Sequence, residues 1–539
     1  MKINFFWHFY KYLPYEYMLA ERELVSLFKV YPLPHPSGLT VNTDQQGWQD
    51  IAGRVTYFRE AVAENGERVI PQQTLLEAST NSNAQTCLTG LEVIPSLSRQ
   101  STRYSAHGIH EYRGKFNPQV VRAIGNLLDL PSAAWIFDPF CGSGTTLLEA
   151  AHNGWNAIGL DINPLGVAIA KAKLAALQVL PDELYLFSTK LVQHLNHLIA
   201  GLSLHLPFDA QQEVKVGGIG WQAFLPNLDY LRTWFTKSVL VQLAAILRAI
   251  AETPDPAIQE IFRIILSNIV REVSLQDPSD LRIRRRKSPS ANMPAIPLFI
   301  DNLISWTKSL LKARECFQPS LGTIQEAILG DVRQAVEIID KACPSQKFDA
   351  AITSPPYLTA LPYIDTQRLS LALLGLIDAA NIRGTEKQLI GNREITNRGR
   401  QAWEQALRDN KLNLPKLCWQ FCCDLITAVN HENDGFRRQN MPALAYQYFS
   451  DMARMFEQIR YLLRSSAHFV LVVGPSKTTL GGHQFLIDTP YWLGILAEEH
   501  GFKQIEALKV DTYQRYDVHQ ANSIRSETLL ILEATSDAS

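Results

Sequence analysis

Cysteine is scarce in this chain, and a long apolar run is absent from it. The seven cysteines among 539 residues are scattered, and the closest group, Cys418, Cys422 and Cys423, lacks the paired spacing of a zinc site. No uninterrupted apolar stretch reaches the roughly 18 residues that predict a membrane span. The aromatic N-terminus does not follow the order of a signal peptide. We therefore expect a cytoplasmic protein with reduced cysteines and no bound metal.

A strong excess of basic residues is also missing. The 51 Lys and Arg against 53 Asp and Glu give a net charge of −2. This balance does not exclude nucleic-acid binding, because phosphate contacts need a local basic surface rather than a basic chain. One dense basic run is present, consisting of Arg282, Arg284, Arg285, Arg286 and Lys287. A looser second set comprises Arg393, Arg398, Arg400, Arg437 and Arg438.

Length and pattern predict more than one folding unit. A chain of 539 residues is too long for a single compact core, and its hydrophobic and charged fractions are typical of globular proteins. A polar, aperiodic stretch at 75–103 indicates a linker, and a second mostly helical stretch fills about 366–445. We divide the chain into a small N-terminal α+β domain with its linker at 1–95, an α/β domain at 96–174 plus 321–539, and a helical insertion at 175–320.

A glycine loop and an acidic turn follow the first two predicted strands of the α/β pattern. Gly142 and Gly144 allow a tight turn and close approach to a ligand, because neither carries a Cβ atom. Asp161 follows the next strand about twenty residues after the loop, a placement that suits a carboxylate binding the two hydroxyls of a ribose. A nicotinamide-binding domain shares this pattern, and a tight turn in an ordinary α/β sheet is the plain alternative. The loop reads Asp138-Pro139-Phe140-Cys141-Gly142-Ser143-Gly144-Thr145.

A proline-rich tetrapeptide, Ser354-Pro355-Pro356-Tyr357, follows another predicted strand roughly two hundred residues later. The two prolines favour an extended backbone. The Ser354 hydroxyl and the Pro355 carbonyl can therefore accept hydrogen bonds from an exocyclic amine, while Tyr357 offers a face for stacking a flat base. The pattern predicts group transfer to a base amine, against the alternative of a simple Pro-rich turn.

These two segments resemble motifs I and IV of the S-adenosylmethionine-dependent DNA amino-methyltransferases. The resemblance implies an α/β fold with a Rossmann-like class I methyltransferase sheet, which has seven mostly parallel strands and an antiparallel last strand. It also implies S-adenosylmethionine as the cofactor. Lys115-Phe116 resembles motif X of the family, and Gly330-Asp331 resembles motif III, although Asp331 can equally be a surface acid at a strand end. The implied cofactor-binding residues are Lys115, Phe116, Asp138, Pro139, Phe140, Gly142, Gly144, Thr145, Asp161, Ile162 and Asp331, and the implied catalytic residues are Ser354, Pro355, Pro356 and Tyr357.

The resemblance also implies a reaction and a partner. Within the family a leading Ser in motif IV is associated with cytosine N4 enzymes, which favours a site-specific methyltransferase acting on cytosine N4 in double-stranded DNA, as in restriction-modification. Adenine N6 is the alternative target. A tRNA guanosine N2-methyltransferase of the THUMP-related type is a rival, because the N-terminal segment Phe9–Glu16 faintly resembles that group. That group's catalytic segment, however, reads Asn/Asp-Pro-Pro-Tyr-Gly, whereas here Ser354 leads and Leu358 follows.

Two interpretations concern the approach of DNA. We expect the insertion at 175–320 to contact DNA, with Arg282, Arg284, Arg285, Arg286 and Lys287 on the phosphates. The alternatives are that this run is a solvated loop, or that the 366–445 stretch reads the target.

Tyr363 and Asp365 either contact the base or cap the next helix. A protein-binding role with a decayed enzyme fold is disfavoured because both motifs are intact.

Overall fold

The computed structural model describes residues 1–80, 100–112, 114–201, 215–216, 218–277, 280, 283–286, 293–317, 322–358, 363–393, 395–511 and 526–536. Its N-terminal part is a small α+β unit. The elements of this unit are β1 (Lys2–Trp7), α1 (Pro14–Phe28), β2 (Leu33–His35), β3 (Gly38–Asn42), α2 (Trp48–Arg54), β4 (Phe58–Ala63), β5 (Arg68–Val69) and α3 (Gln72–Ala78). The five strands form an antiparallel sheet in the order β2-β3-β1-β4-β5.

The linker expected at 75–103 begins later than the sequence predicts. Residues 75–78 belong to α3, where Leu76 and Glu77 are fully buried. The polar composition is misleading here, because the buried polar side chains of α3 find hydrogen-bond partners on a neighbouring helix. The part of the predicted linker at 81–99 lies outside the described residues, and a 3₁₀ turn at Ser105–Gly108 follows it.

The α/β part begins with α4 (Pro118–Leu127), β6 (Trp135–Asp138), α5 (Thr145–Asn153), β7 (Asn156–Asp161) and α6 (Pro164–Gln178). Asn117 caps α4 by accepting a hydrogen bond from the Gln119 amide. Pro118 follows at the first helical position, where proline is common. The segment that follows is mostly helical. It contains α7 (Pro181–Gly201), β8 (Lys215–Val216), β9 (Ile219–Gly220), α8 (Leu228–Arg232), α9 (Lys237–Ala251), α10 (Pro256–Val273) and α11 (Ala295–Cys316).

The sheet resumes with β10 (Gln325–Leu329), α12 (Ala335–Ala342) and β11 (Phe348–Thr353). A second helical stretch contains α13 (Tyr363–Leu373), α14 (Ile382–Gln388), α15 (Asn397–Arg408), α16 (Lys416–Ala428) and α17 (Phe436–Gln439). The last elements are α18 (Met441–Leu462), β12 (Leu463–Val473), β13 (Ser476–Leu480), β14 (His483–Ile487), α19 (Thr489–Glu499), β15 (Phe502–Asp511) and β16 (Ser526–Ala534).

Seven strands form one sheet in the order β10-β7-β6-β11-β12-β16-β15. The strands from β10 to β12 are parallel, and β16 runs antiparallel to both of its neighbours. The predicted mostly parallel sheet with an antiparallel last strand is therefore confirmed. The chain builds outward from β6 to β10 on one side and then crosses to β11 on the other, so β6 and β11 flank the point where the strand order reverses. In open α/β sheets ligands bind at this switch point.

The N-terminal unit and the large sheet share one hydrophobic core. Ile3 and Leu19 from the N-terminal unit belong to the same buried cluster as Ile124 of α4 and Ile136 of β6. Arg22 of α1 also makes a two-pronged ion pair with Glu506 of β15, with N–O distances of 2.6 and 2.7 Å. Within the described residues no single helix is long and apolar enough to cross a membrane, and only the sharply bent pair α6 and α7 reaches that length and composition together.

Candidate active site

A cleft opens at the carboxyl ends of the central strands. Four strand ends contribute to it, those of β6, β7, β10 and β11. The lining residues are Tyr112, Gly114, Pro139, Phe140, Gly142, Asp161, Ile162, Asn163, Gly330, Asp331, Val332, Ser354, Pro356, Tyr363, Gln388, Leu389 and Ile390. Both sequence-predicted segments thus meet in one cleft.

The glycine loop after β6 has two glycines with different roles. Gly142 lines the cleft with φ of 48°, and its amide donates to Asp161 Oδ2 at 2.8 Å. Gly144 has φ of 75°, and a Cβ atom there would lie 2.6 Å from the Cβ of Ala170. The second glycine therefore allows α5 to begin against α6. It does not line the cleft, in contrast to the close approach to a ligand expected from the sequence.

Asp161 holds the loop in place and also faces the cleft. Its Oδ2 accepts the Gly142 amide, and its Oδ1 accepts the Asn163 amide at 2.8 Å. A carboxylate can accept about four hydrogen bonds, so both oxygens retain the capacity to accept a ligand hydroxyl. Burial raises the pKa of Asp161 to about 6. The group is therefore predominantly ionised at neutral pH.

Asp138 lies beneath the cleft rather than in its wall. The side chain is buried, and Oδ1 accepts hydrogen bonds from Thr353 Oγ1 at 2.6 Å and from the Phe140 amide at 3.1 Å. Burial raises the pKa of Asp138 to about 6. The sequence grouped Asp138 with the cofactor-binding residues, whereas the structure shows it joining the two strand ends that flank the switch point. Thr145 is likewise buried in α5 and does not line the cleft.

A buried lysine supports the glycine loop from below. Lys173 of α6 donates from Nζ to the Ser143 carbonyl at 2.7 Å and to Ser143 Oγ at 3.1 Å. Burial lowers the pKa of Lys173 to about 7. Sequence reasoning missed this residue, because a lone lysine in a helix is normally expected at the surface.

The Ser354–Tyr357 segment is fixed from several sides. Ser354 and Pro356 line the cleft, whereas Pro355 is buried. Tyr448 of α18 donates from its hydroxyl to the Pro356 carbonyl at 3.0 Å. The Tyr357 hydroxyl donates to Glu527 Oε1 of β16, and burial, then the charge of Glu527, raises the pKa of Tyr357 well above its ordinary value. Among the described residues, no hydrogen bond involves the Ser354 hydroxyl.

Asp331 enters the cleft from the end of β10 as part of a charged network. It caps the following 3₁₀ turn, and Arg333 Nη2 contacts Asp331 Oδ2 at 2.6 Å. The same guanidinium bridges to Asp451 at 2.9 Å and donates to the Gln388 carbonyl at 2.8 Å. Arg333 thereby secures the Gln388–Ile390 segment as one wall of the cleft. No local signal in that segment predicted this position.

Two tyrosines join the segment before α4 to the helix after β11. The rings of Tyr112 and Tyr363 are nearly parallel, with centroids 6.4 Å apart. Gly114 has φ of 73°, and a Cβ atom at this position would lie 2.9 Å from the Tyr363 hydroxyl. Both tyrosines line the cleft, and Tyr363 is also the first residue of α13, so base contact and helix capping both stay predictions. Asn163 contacts Tyr112 through its side-chain amide at 3.3 Å.

The predicted motif X residues lie beside the cleft rather than in it. Lys115 donates from Nζ to the Thr102 carbonyl at 2.7 Å, and Phe116 packs against the core that the sheet shares with the N-terminal unit. Neither residue lines the cleft. Their neighbours Tyr112 and Gly114 do line it, and a cofactor contact from Lys115 or Phe116 stays a prediction.

Arg284, Arg285 and Arg286 of the basic run lie in a segment that is hydrogen-bonded to neighbouring helices. Arg286 donates to the carbonyls of Gln276 and Glu272, and Arg285 donates to the Thr233 carbonyl. Arg284 is 76% exposed and pairs loosely with Asp280 at 3.4 Å. The Ile283 amide donates to Asp365 Oδ2 at 3.3 Å, which joins this segment to α13 just beyond Tyr363. Arg282 and Lys287 lie outside the described residues.

A buried cluster at α5 contains residue types that bind metals, but its carboxylate is hydrogen-bonded to other side chains. The ligand atoms of His107, Glu149 and His152 lie within 4.8 Å of one another. Glu149, however, accepts hydrogen bonds from Arg122 at 3.0 Å and Tyr104 at 2.8 Å as well as from both histidines. The Arg122 charge, followed by contacts from the two histidines, outweighs burial and holds the pKa of Glu149 well below its ordinary range. Within the described residues the cluster is a buried ion pair with supporting hydrogen bonds.

Comparison with known proteins identifies relatives. Residues 100–172 match the family model N6_N4_Mtase, described as DNA methylase. The Type II methyltransferase M.MvaI of Kocuria varians is 24% identical over 315 residues, which are 55% of this chain and 64% of that protein. M.MjaII of Methanocaldococcus jannaschii is 44% identical over 82 residues, 14% of each chain. The alignments therefore span less than two thirds of these relatives.

A solved structure of TrmN from Thermus thermophilus aligns with 99% of both chains at 10% identity, with a TM-score of only 0.31. This likeness is too weak to support any inference about the chain. The family model covers the segment from before α4 through the glycine loop to the acidic turn and α6. Residues 100–172 are thus similar to the DNA methylase family, and the chain is similar to Type II methyltransferases over part of their length.

Proposed function

We propose that this protein transfers a methyl group from S-adenosylmethionine to the exocyclic amine of a base in double-stranded DNA, with cytosine N4 as the target. The observation that carries the proposal is the shared cleft, in which Ser354 and Pro356 lie together with Gly142, Asp161 and Asp331. One side of the cleft has the groups for a nucleoside cofactor, and the other has the groups for an amine. The DNA methylase description of the matched family model supports DNA as the substrate.

The cleft fits the proposed cofactor on two counts. Asp161 and Asp331 offer carboxylate oxygens for hydroxyl and amino groups. Apolar side chains suited to the faces of a purine line the same space, namely Phe140, Val332, Leu389 and Ile390. When bound, S-adenosylmethionine supplies a methyl group on a positively charged sulfur, which is an electrophile that needs no metal.

The residues of the Ser354–Tyr357 segment would prepare the base amine. The Ser354 hydroxyl and the Pro355 carbonyl accept hydrogen bonds from the two N–H groups, which withdraws the nitrogen lone pair from the ring and aims it into the cleft. Tyr357 stacks on the base that has left the helix. The amine nitrogen would then bond to the methyl carbon that the bound cofactor supplies, and the electron pair of the broken carbon–sulfur bond would remain on sulfur. The extra proton on nitrogen passes to solvent. The protein contributes in-line placement.

We propose that DNA reaches the cleft across the surface of the helical insertion. The segment that carries Arg284 is hydrogen-bonded to α13 through Asp365, two residues from Tyr363 in the cleft wall. An exposed arginine this close to the cleft is well placed for a backbone phosphate. Methylation at a short specific site, as in restriction-modification, is the role that we propose for the reaction.

Product analysis tests the proposal directly. The purified protein is incubated with labelled S-adenosylmethionine and either duplex DNA or bulk tRNA, and the modified nucleosides are separated by mass spectrometry after nuclease digestion. We expect N4-methylcytosine in DNA. N6-methyladenine alone would overturn the target base and leave the mechanism standing, whereas label only in tRNA would overturn the proposed substrate.

A further inference from the structure

We propose that Tyr448 and Glu527 are positioning residues, which hold the Ser354–Tyr357 segment in the geometry that methyl transfer requires. The inference rests on the proposed function and extends it to two residues far along the chain from either motif. Tyr448 lies in α18 and Glu527 in β16. Neither lines the cleft, so their effect on the reaction would be transmitted through the segment that they contact.

Tyr448 anchors the backbone of the segment. Its side chain is 1% exposed, and its hydroxyl donates to the Pro356 carbonyl at 3.0 Å. A buried hydroxyl needs a partner, and here the partner is a carbonyl inside the amine-binding segment. Proline has no N–H to donate, so the peptides around Pro355 and Pro356 depend on contacts from outside the segment to fix their orientation.

Glu527 anchors the side chain next to that carbonyl. The Tyr357 hydroxyl donates to Glu527 Oε1, and both side chains are half-buried. A hydrogen bond to a carboxylate is stronger than a neutral one, and it fixes the tilt of the ring that would stack on the base. Tyr448 and Glu527 therefore hold two consecutive residues from two different elements.

The other end of the segment is also held. Thr353 donates to Asp138 at 2.6 Å, so the chain is fixed immediately before Ser354. The two proposed acceptors, the Ser354 hydroxyl and the Pro355 carbonyl, lie between these anchors. Misplacement by about 1 Å of a reacting group can cost roughly 100-fold in rate. Loosening one anchor is therefore expected to lower kcat while leaving cofactor binding unchanged.

The chain offers a matched control for Tyr448. Tyr446 lies on the same helix, is also fully buried, and its hydroxyl accepts a hydrogen bond from the Leu412 amide at 3.0 Å, a contact outside the cleft. Tyr448→Phe and Tyr446→Phe each remove one buried hydroxyl of α18 and leave one main-chain group without its partner, and Tyr446→Phe also removes a weak contact of 3.4 Å to Asn410 Oδ1. If the two variants lose similar stability, a difference between them in methylation rate or in amide exchange reports on the contact with the Pro356 carbonyl.

Two readouts test the proposal. Methylation kinetics on DNA should show kcat reduced at least tenfold in Tyr448→Phe and in Glu527→Ala, with KM for the cofactor unchanged. Tyr446→Phe should retain the wild-type rate, and Glu527→Gln, which keeps an oxygen acceptor, should recover most of it. Hydrogen–deuterium exchange of the free protein should show faster exchange at the Ser354, Tyr357 and Leu358 amides in Tyr448→Phe than in Tyr446→Phe.

Equal rates and equal exchange in Tyr448→Phe and Tyr446→Phe would overturn the positioning role. A wild-type protein that does not methylate DNA would overturn the proposed function instead. The exchange comparison needs no substrate, so in that case it still decides whether Tyr448 holds the segment.

Discussion

The Thr353 hydroxyl donates a hydrogen bond of 2.6 Å to Asp138 Oδ1, although the two residues are 215 positions apart. The contact joins the ends of β6 and β11, the strands between which the strand order reverses. We predict that Thr353→Val lowers the free energy of unfolding by about 1–3 kcal/mol, because it removes a partner of a buried polar group. Urea denaturation measures this. Thr353→Ser keeps the hydroxyl and should stay close to wild type, and equal losses in both variants would contradict the role of the hydrogen bond.

Cofactor affinity should fall as pH decreases through about 6. The pKa of Asp161 is raised to about 6 by burial, and only the ionised form can accept hydroxyl hydrogen bonds at both oxygens. Each pH unit below the pKa should therefore weaken binding by up to about tenfold. Calorimetry between pH 5 and 8 measures the effect. Asp161→Asn should bind more weakly at pH 8 and lose the pH dependence.

Asp161→Ala should weaken cofactor binding more strongly than Asp161→Asn at pH 8. The alanine variant removes both the proposed hydroxyl contacts and the acceptor of the Gly142 amide, which shapes the loop. Titration calorimetry of both variants provides the measurement. An unchanged affinity in Asp161→Ala would remove this residue from the site.

Changes in the Ser354–Tyr357 segment should separate catalysis from cofactor binding. Ser354→Ala and Tyr357→Ala are expected to slow methylation by at least 100-fold, because each acts on the base amine rather than on the cofactor. Cofactor affinity, measured by calorimetry, should change by less than about threefold. A Tyr357→Ala protein that methylates at the full rate would contradict the assignment of the segment.

We predict that neutralising the exposed members of the basic run weakens DNA binding, whereas neutralising Arg286 lowers stability. Arg282→Gln, Arg284→Gln and Lys287→Gln together should weaken binding to all sequences and flatten its salt dependence, while the methylated site stays the same. Arg286→Gln should lower stability instead, because Arg286 is bonded to two main-chain carbonyls. Binding measured across a salt series distinguishes these outcomes, and an unaltered salt slope in the triple variant would place the run away from DNA.

Buried glutamates should make the stability of the N-terminal unit depend on pH. Burial raises the pKa of Glu77 to about 7, so the folded state holds this proton more tightly than the unfolded chain. The stabilisation is fully present below about pH 4.5 and is lost as pH rises through 7. Glu77→Gln should therefore gain stability relative to wild type between pH 5 and 8, by on the order of 3 kcal/mol at most. The exposed Glu21→Gln serves as the control in thermal melts at each pH, and parallel pH profiles for Glu77→Gln and wild type would contradict the prediction.

The positions of several strands follow from local patterns in the sequence, whereas the mostly parallel sheet was implied by the family resemblance. Short apolar runs such as Phe348–Thr353, each ending in a polar or glycine-rich turn, are typical of buried parallel strands, and this strand forms with the predicted bounds. The glycine loop and Asp161 meet because the carboxyl ends of neighbouring parallel strands share one edge of the sheet. The predicted fold class is therefore confirmed, and the acidic and glycine residues of the cleft are found together.

The rest of the cleft depends on packing that local patterns do not encode. In the sequence, Tyr448 has the pattern of an ordinary core aromatic residue in an amphipathic helix. Its hydroxyl contacts the Pro356 carbonyl because α18 packs against the turn after β11. Gln388 is held in the cleft wall because its carbonyl accepts a hydrogen bond from Arg333, which lies 55 positions earlier in the chain. Asp138 shows the opposite failure: its motif suggested a ligand contact, but the strand pairing buries it beneath the cleft.

The wall formed by Gln388–Ile390 constrains how new target specificities could arise in this protein. The segment belongs to the helical stretch between β11 and α18, and Arg333 ties it to the end of β10. Exchange of this helical stretch for that of a relative would replace part of the cleft wall together with the surface around it. Under the proposed function, a change of target site is therefore expected from single substitutions on the outer faces of these helices rather than from exchange of the whole stretch.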